Sequence, residues 1–155
     1  MDKSLYPPII KDSNYIAVFN YVFDDMDDET FQHYKNERPD IDINNYFIFN
    51  EETAAKIIKD FTEVKDKCDV LVVHCDAGVS RSPAVAIFLM EKFNIPKATI
   101  DVYEHGESVF IATYVGKKEV GVSFLKKYFP YNHYVYDMLK HVSAKSNKNV
   151  CLQKM

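Results

Sequence analysis

The spacing of apolar residues gives its clearest signal between residues 51 and 65, where they recur on one face of a helix. The residues on this face are Ala54, Ile57, Ile58, Phe61 and Val64. Asn50 directly precedes the segment and is a favourable N-cap, and Glu51 and Glu52 follow in the first turn, where the helix dipole stabilises negative charge. The pattern therefore predicts a capped helix with one buried face.

Two other apolar segments have the character of strands. Residues 15–23 are aromatic and β-branched, a composition that favours strand. Residues 70–73, Val-Leu-Val-Val, form a continuous apolar run, which is typical of a strand covered on both faces. The acidic stretch at residues 24–29 ends the first of these strands. The polar residues that follow, as far as Asp40, predict a loop with room for one short helix.

The second half of the chain begins with another helical pattern. A helix is predicted from near Arg81, with Pro83 in the first turn, where proline is tolerated. Because this segment is apolar nearly all round, we expect it in the middle of the protein. Residues 100–114 fit either a helix or a hairpin that turns at residues 105–106. A last amphipathic helix is predicted over residues 132–141.

The order of these elements predicts an α/β fold. We expect a single domain with a central, mostly parallel twisted sheet of about four or five strands flanked by helices. The length of 155 residues fits one domain with a normal core. Residues 1–14 are expected to form an N-terminal arm, residues 15–144 the domain and residues 145–155 a flexible C-terminal tail.

The net charge and the cysteine content indicate which partners and which cellular compartment to expect. The formal net charge is −4, so we expect neither a nucleic acid nor an anionic membrane as partner. The three cysteines, Cys68, Cys75 and Cys151, are odd in number and unpatterned, which favours a reducing cytoplasm over a secreted disulfide framework. The sequence carries no recognisable signal peptide or membrane span.

One segment combines a cysteine, a glycine-containing turn and the start of a predicted helix. Its residues are His74, Cys75, Asp76, Ala77, Gly78, Val79, Ser80, Arg81 and Ser82. Inward backbone N–H groups in such a turn form an anion nest, and the helix N-terminus adds positive potential. Arg81 could hold two phosphate oxygens, and the same field should lower the pKa of Cys75. The segment therefore predicts a phosphate-binding loop over residues 76–81, with Cys75 as nucleophile.

The pattern His-Cys, five residues, Arg and then Ser resembles the signature of the protein tyrosine phosphatase superfamily. Residues 80–86 are most similar to compact dual-specificity phosphatases and their bacterial or viral relatives. The resemblance, which extends over residues 23–96, implies a phosphocysteine intermediate on Cys75 and a phosphate clamp at Arg81. It also implies that Ser82 helps the sulfur to leave and that His74 orients the loop. No metal or cofactor is implied.

The resemblance further implies an aspartate that serves as general acid on a loop after an upstream strand. Asp25 matches this position best, and Asp24 and Asp27 remain alternatives. Clustered carboxylates raise one another's pKa, which would help to keep one protonated, although an acidic run is commonly just a solvated loop. Residues 31–48 depart from the smallest family members and are expected to form a rim over the pocket.

These features predict a metal-independent phosphomonoester hydrolase acting on phosphoproteins, with phosphotyrosine the first substrate and phosphoserine or phosphothreonine further candidates. The loop contains no lysine, and Asp76 would repel a polyanion, which disfavours phosphoinositides and RNA 5′-triphosphates. Two alternatives stay open. One is a catalytically silent phosphate-binding module. The other is a rhodanese-like sulfurtransferase or arsenate reductase, although these proteins lack the Gly-x-x-Arg-Ser pattern.

Overall fold

A computed structural model describes residues 14–76, 78–105 and 112–153. These residues form five α-helices, one short 3₁₀ turn at Ile43–Asn45 and two β-strands. The helices are α1 (Asp28–Glu37), α2 (Glu51–Val64), α3 (Arg81–Phe93), α4 (Val122–Tyr128) and α5 (His133–Gln153). The strands are β1 (Ala98–His105) and β2 (Ala112–Val120).

The sheet differs from the one the sequence predicts. Across the described residues it has two strands, β1 and β2, which pair antiparallel with Ala98 opposite Val120. The register shifts between Val102 and Tyr103, as at a β-bulge. The prediction of a central, mostly parallel sheet of four or five strands is therefore wrong.

The two segments expected to supply that sheet lie outside any helix or strand. Residues 15–23 and 70–73 show no strand pairing in the described part of the chain. Val70 and Val72 are 75% and 67% exposed, so the apolar run that leads to Cys75 is not a buried strand. An apolar run becomes a central strand only where neighbouring layers cover both of its faces, and here the helices pack mainly against one another.

The predicted helices α2 and α3 are confirmed. Helix α2 begins at Glu51, and the Asn50 side chain accepts a hydrogen bond of 2.9 Å from the Thr53 amide. Helix α3 begins at Arg81 and is central as expected, because eight of its residues are buried. Asn94 ends α3 in the left-handed conformation, with its amide bonded to the Met90 carbonyl.

The structure also shows the form of the segments for which the sequence prediction was less specific. Residues 98–105 and 112–120 form paired strands and not a helix. Of the two residues expected to form the turn, His105 is the last residue of β1, and residue 106 lies outside the described residues. The short helix allowed in the polar stretch is α1. Helix α5 continues to Gln153, so most of the predicted C-terminal tail is helical. The predicted N-terminal arm lies outside the described residues except for Asn14.

The core forms where α2, α3 and α5 pack together. Its largest fully buried side chains are Phe49, Ile87, Val135 and Leu139. This packing brings the start of α5 against the start of α3, where the Asn132 amide donates a hydrogen bond of 3.1 Å to the Ser80 carbonyl. Among the described helices, none has the length and apolar character needed to cross a membrane.

Candidate active site

The Cys75 sulfur faces the first turn of α3. Its Sγ lies 3.2 Å from the Ser82 hydroxyl and accepts a hydrogen bond of 3.4 Å from the Ser82 amide. Ser82 is buried and Cys75 is half-buried, so the contact is sheltered from solvent. Of the two roles that a first-turn hydroxyl could have, helix capping or contact with the sulfur, Ser82 has the second.

The surroundings of the sulfur favour its ionised form. Burial raises the pKa of the Cys75 thiol, but hydrogen bonds from the Ser82 hydroxyl and from the amides of Ser82, Gly78 and Ser80 outweigh this effect. The pKa of Cys75 therefore lies below its ordinary value. Gly78 has φ of +69°, a left-handed conformation that glycine adopts at little cost and that lets the loop direct its amides at one point.

Arg81 connects the loop to the segment that precedes the acidic stretch. Its Nη1 donates a hydrogen bond of 2.9 Å to the Phe23 carbonyl, and its Nη2 donates one of 2.6 Å to the Asp76 carboxylate. Burial acts to lower the pKa of Arg81, but the bond to Asp76 and the negative charges of Cys75 and Asp25 raise it overall. The guanidinium therefore stays charged beside the sulfur.

Asp25 lies against the same loop. Its Oδ1 accepts hydrogen bonds of 2.8 Å from the Ser80 hydroxyl and 2.7 Å from the Asn132 side-chain amide. Ser80 also directs its backbone amide at the Cys75 sulfur, so one residue contacts both the carboxylate and the sulfur. These contacts bring a carboxylate and a thiol sulfur to one end of α3.

The segment that carries Asp25 is attached to the core by side chains on either side of it. The Tyr21 hydroxyl donates a hydrogen bond of 2.8 Å to Asp60 on α2. The ring of Phe23 packs on buried Phe49 with a centroid distance of 4.7 Å. Asp25 is therefore held near the loop although this segment belongs to no helix or strand.

The other two candidate acids have structural partners. The Asp24 carboxylate accepts a hydrogen bond of 2.6 Å from the Phe47 amide, and its own amide donates one of 2.7 Å to the Phe47 carbonyl. Asp27 caps α1, and bonds from the Thr30 hydroxyl and amide lower its pKa. Of the three aspartates, Asp25 is the one with a hydrogen bond to a described residue of the loop.

Some predicted site residues take no visible part in this arrangement. His74 is exposed, and its side chain makes no hydrogen bond to a described residue. Val79 is also exposed, and Ala77 lies outside the described residues. The structure therefore brings together Cys75, Ser82, Arg81, Asp76, Ser80 and Asp25.

Comparison with family models, with curated proteins and with solved structures found no match to this chain. The chemistry of the site must therefore be inferred from its own atoms. Those atoms comprise a sulfur that receives hydrogen bonds, a guanidinium and a carboxylate at the start of one buried helix.

Sequence reasoning did not assign Asn132 to the site. Its side-chain amide donates to Asp25, while its side-chain oxygen accepts a hydrogen bond of 3.0 Å from the Val135 amide and so caps α5. The sequence signal, an asparagine at the start of a predicted helix, indicates only the cap. The contact with Asp25 depends on how α3 and α5 pack.

A groove of about 300 Å³ opens beside Asp25. It lies where the chain enters α1 and α5, and its lining residues are Asp25, Met26, Asp27, Thr30, Asn132, His133 and Tyr134. Burial, together with the negative charges of Asp28 and Asp27, raises the pKa of the Tyr134 phenol, so this hydroxyl stays protonated.

Proposed function

We propose that this chain is a metal-independent phosphomonoester hydrolase of the dual-specificity phosphatase type, acting on phosphoproteins through a phosphocysteine intermediate on Cys75. The observation that carries the proposal is the set of hydrogen bonds that the Cys75 sulfur receives from Ser82, Gly78 and Ser80 at the start of α3. A thiolate held in an anion-binding turn, with a guanidinium beside it, is a suitable nucleophile for phosphorus.

In the first step, the Cys75 thiolate attacks phosphorus and forms a sulfur–phosphorus bond. The bond from phosphorus to the ester oxygen breaks, and Asp25 gives its proton to that oxygen so that an alcohol leaves. The loop amides and Arg81 stabilise the negative charge on the remaining phosphoryl oxygens. The contact of Asp25 with Ser80 supports this assignment, because it holds the carboxylate at the edge of the loop.

In the second step, water attacks phosphorus and the sulfur–phosphorus bond breaks. The Asp25 carboxylate takes a proton from the water, and inorganic phosphate is released. The Ser82 hydroxyl donates a hydrogen bond to the departing sulfur and keeps its proton, which stabilises Cys75 as a thiolate. What supports this role is the 3.2 Å separation between the two side-chain atoms.

A phosphoprotein is the substrate class that best fits the charges. The carboxylate of Asp76 lies on Arg81, and those of Asp25 and Asp27 border the neighbouring groove. Three carboxylates this close would repel a substrate that carries several phosphates, such as a phosphoinositide. We therefore expect singly phosphorylated residues, phosphotyrosine first, to react faster than polyphosphorylated lipids.

The direct test is hydrolysis of para-nitrophenyl phosphate, followed by a comparison of phosphotyrosine, phosphoserine and phosphoinositide substrates. The wild-type chain should release phosphate from para-nitrophenyl phosphate, and Cys75→Ser should not. Cys68→Ser is the matched control, because Cys68 is also a free, half-buried thiol but is absent from the loop. Phosphate binding without turnover by the wild-type chain would indicate a catalytically silent phosphate-binding module instead.

A further inference from the structure

Arg81 is bound on two sides by oxygens of the protein itself. The Asp76 carboxylate accepts a 2.6 Å bond from Nη2, and the Phe23 carbonyl accepts a 2.9 Å bond from Nη1. The Arg81 side chain is 22% exposed and that of Asp76 is 50% exposed, so the ion pair lies at the mouth of the loop. Asp76 is also the residue directly after Cys75.

A carboxylate and a phosphate bind a guanidinium through the same donors. A carboxylate is planar and a phosphate is tetrahedral, but each presents two acceptor oxygens that fit the N–H groups of arginine in pairs. A phosphate bound to Nη2 would therefore stand close to the Asp76 carboxylate. Two anions on one cation repel each other, and partial burial of Arg81 weakens the screening of that repulsion by water.

We propose that Asp76 is a specificity-determining residue that competes with bound oxyanions for Arg81. This inference rests on the proposed function for the identity of the anion, a phosphoryl group or product phosphate. Asp76 weakens the binding of phosphate at the loop, which limits inhibition by the product and selects against substrates with additional negative charge. The loop amides and Ser82 still stabilise Cys75, because they do not depend on the Asp76 side chain.

The test is binding of inorganic phosphate, measured by isothermal titration calorimetry on the wild-type chain, Asp76→Asn and Asp76→Ala. Both substitutions keep the backbone amide of residue 76 and remove the carboxylate charge. We expect both variants to bind phosphate roughly 5- to 50-fold more tightly than the wild type, since a like charge is removed from the guanidinium. Asp66→Asn is the control, because it makes the same change in net charge at an exposed carboxylate that pairs with Lys65.

Asp76 could instead orient Arg81 for phosphate, and the experiment separates the two roles. If Asp76 orients Arg81, both variants will bind phosphate more weakly than the wild type, which would overturn the proposal. Equal affinity in all four proteins, or no phosphate binding by any of them, would overturn it as well. A gain in affinity of the same size in Asp66→Asn would also overturn the proposal, because the effect would then come from net charge and not from the position of Asp76.

Phosphate binding and hydrolysis test the role of Asp76 and the proposed function separately. Calorimetry needs no turnover, so tighter phosphate binding by both Asp76 variants would support the competition even if para-nitrophenyl phosphate is not hydrolysed. Conversely, normal hydrolysis with unchanged phosphate affinity would leave the phosphatase proposal standing and remove the role of Asp76.

Discussion

The Cys75 sulfur and the Ser82 hydroxyl lie 3.2 Å apart. The pair combines an ionisable sulfur with a donor that stabilises its negative charge. Burial by itself raises the pKa of a thiol, so the low pKa of Cys75 requires hydrogen-bond donors such as Ser82. The acidity of Cys75 therefore depends on how many donors the loop directs at the sulfur.

Ser82→Ala tests this dependence. The substitution removes the hydroxyl but keeps the amide, so the pKa of Cys75 should rise toward the ordinary thiol value. A higher pKa means less thiolate at a given pH, and the pH at which alkylation by iodoacetamide reaches half its maximum rate should move upward. The measurement is the rate of Cys75 alkylation between pH 5 and 9, roughly the range over which perturbed thiols titrate. A profile identical to that of the wild type would contradict the role given to Ser82.

Asp25→Asn tests the proposed general acid. The amide keeps the shape of the side chain but cannot supply a proton, so kcat should fall roughly 10²- to 10⁴-fold with phosphotyrosine, a substrate with a poor leaving group. The loss should be smaller with para-nitrophenyl phosphate, whose leaving group needs less protonation. Asp24→Asn is the matched control and should stay near the wild-type rate. The reverse result, with Asp24→Asn impaired and Asp25→Asn normal, would transfer the role to Asp24.

At the scale of elements, the site depends on the start of α3 lying against the start of α5. Asn132 makes this connection through its backbone amide, which donates to the Ser80 carbonyl. Its side-chain amide also donates to Asp25, and its side-chain oxygen accepts a hydrogen bond from the Val135 amide within α5. The same residue therefore caps α5 and contacts the proposed acid, Asp25. Asn50 caps α2 in the same way but makes no described contact with the loop.

Asn132→Ala and Asn50→Ala form a matched pair. Each should lower the free energy of unfolding by about 1 kcal/mol, because each removes a helix cap. Only Asn132→Ala should also lower kcat, since it releases one hydrogen bond to Asp25. Urea unfolding and steady-state kinetics measure the two effects separately. An equal loss of kcat in both variants would show that capping, and not positioning of Asp25, controls activity.

At the scale of the whole molecule, the helical core determines where the site forms. Helices α2, α3 and α5 enclose most of the buried side chains, and the loop that contains Cys75 leads directly into α3 at Arg81. Strands β1 and β2 contact mainly each other, while Val120 at the end of β2 is buried in the core. Stability should therefore depend on the packing between helices far more than on the hairpin.

Leu139→Ala tests the contribution of this packing. Leu139 is fully buried on α5, and loss of its side chain should lower the free energy of unfolding by about 2–5 kcal/mol through lost burial and a residual cavity. Asp137→Ala, at an exposed position on the same helix, should change it by less than about 0.5 kcal/mol. Denaturant unfolding measures both values. Similar values for the two variants would contradict a core built around α5.

Local interactions explain what could be predicted from the sequence. The bounds of α2, its cap at Asn50 and the start of α3 at Arg81 follow from the spacing of apolar residues and from contacts between residues close in the chain. The sheet could not be predicted in this way. Whether residues 70–73 become a buried strand depends on partners elsewhere in the chain, and in the fold they remain exposed.

Residues close together in the chain account for the groups around Cys75, because a short loop followed by a helix places its amides and Arg81 within reach of the sulfur. Tertiary contacts determine which aspartate joins them and that Asn132 lies beside it. Asp25 meets Ser80 across 55 positions and Asn132 across 107. Contacts between residues so far apart in the sequence form when separate segments pack together, and the apolar periodicity of one segment does not predict them.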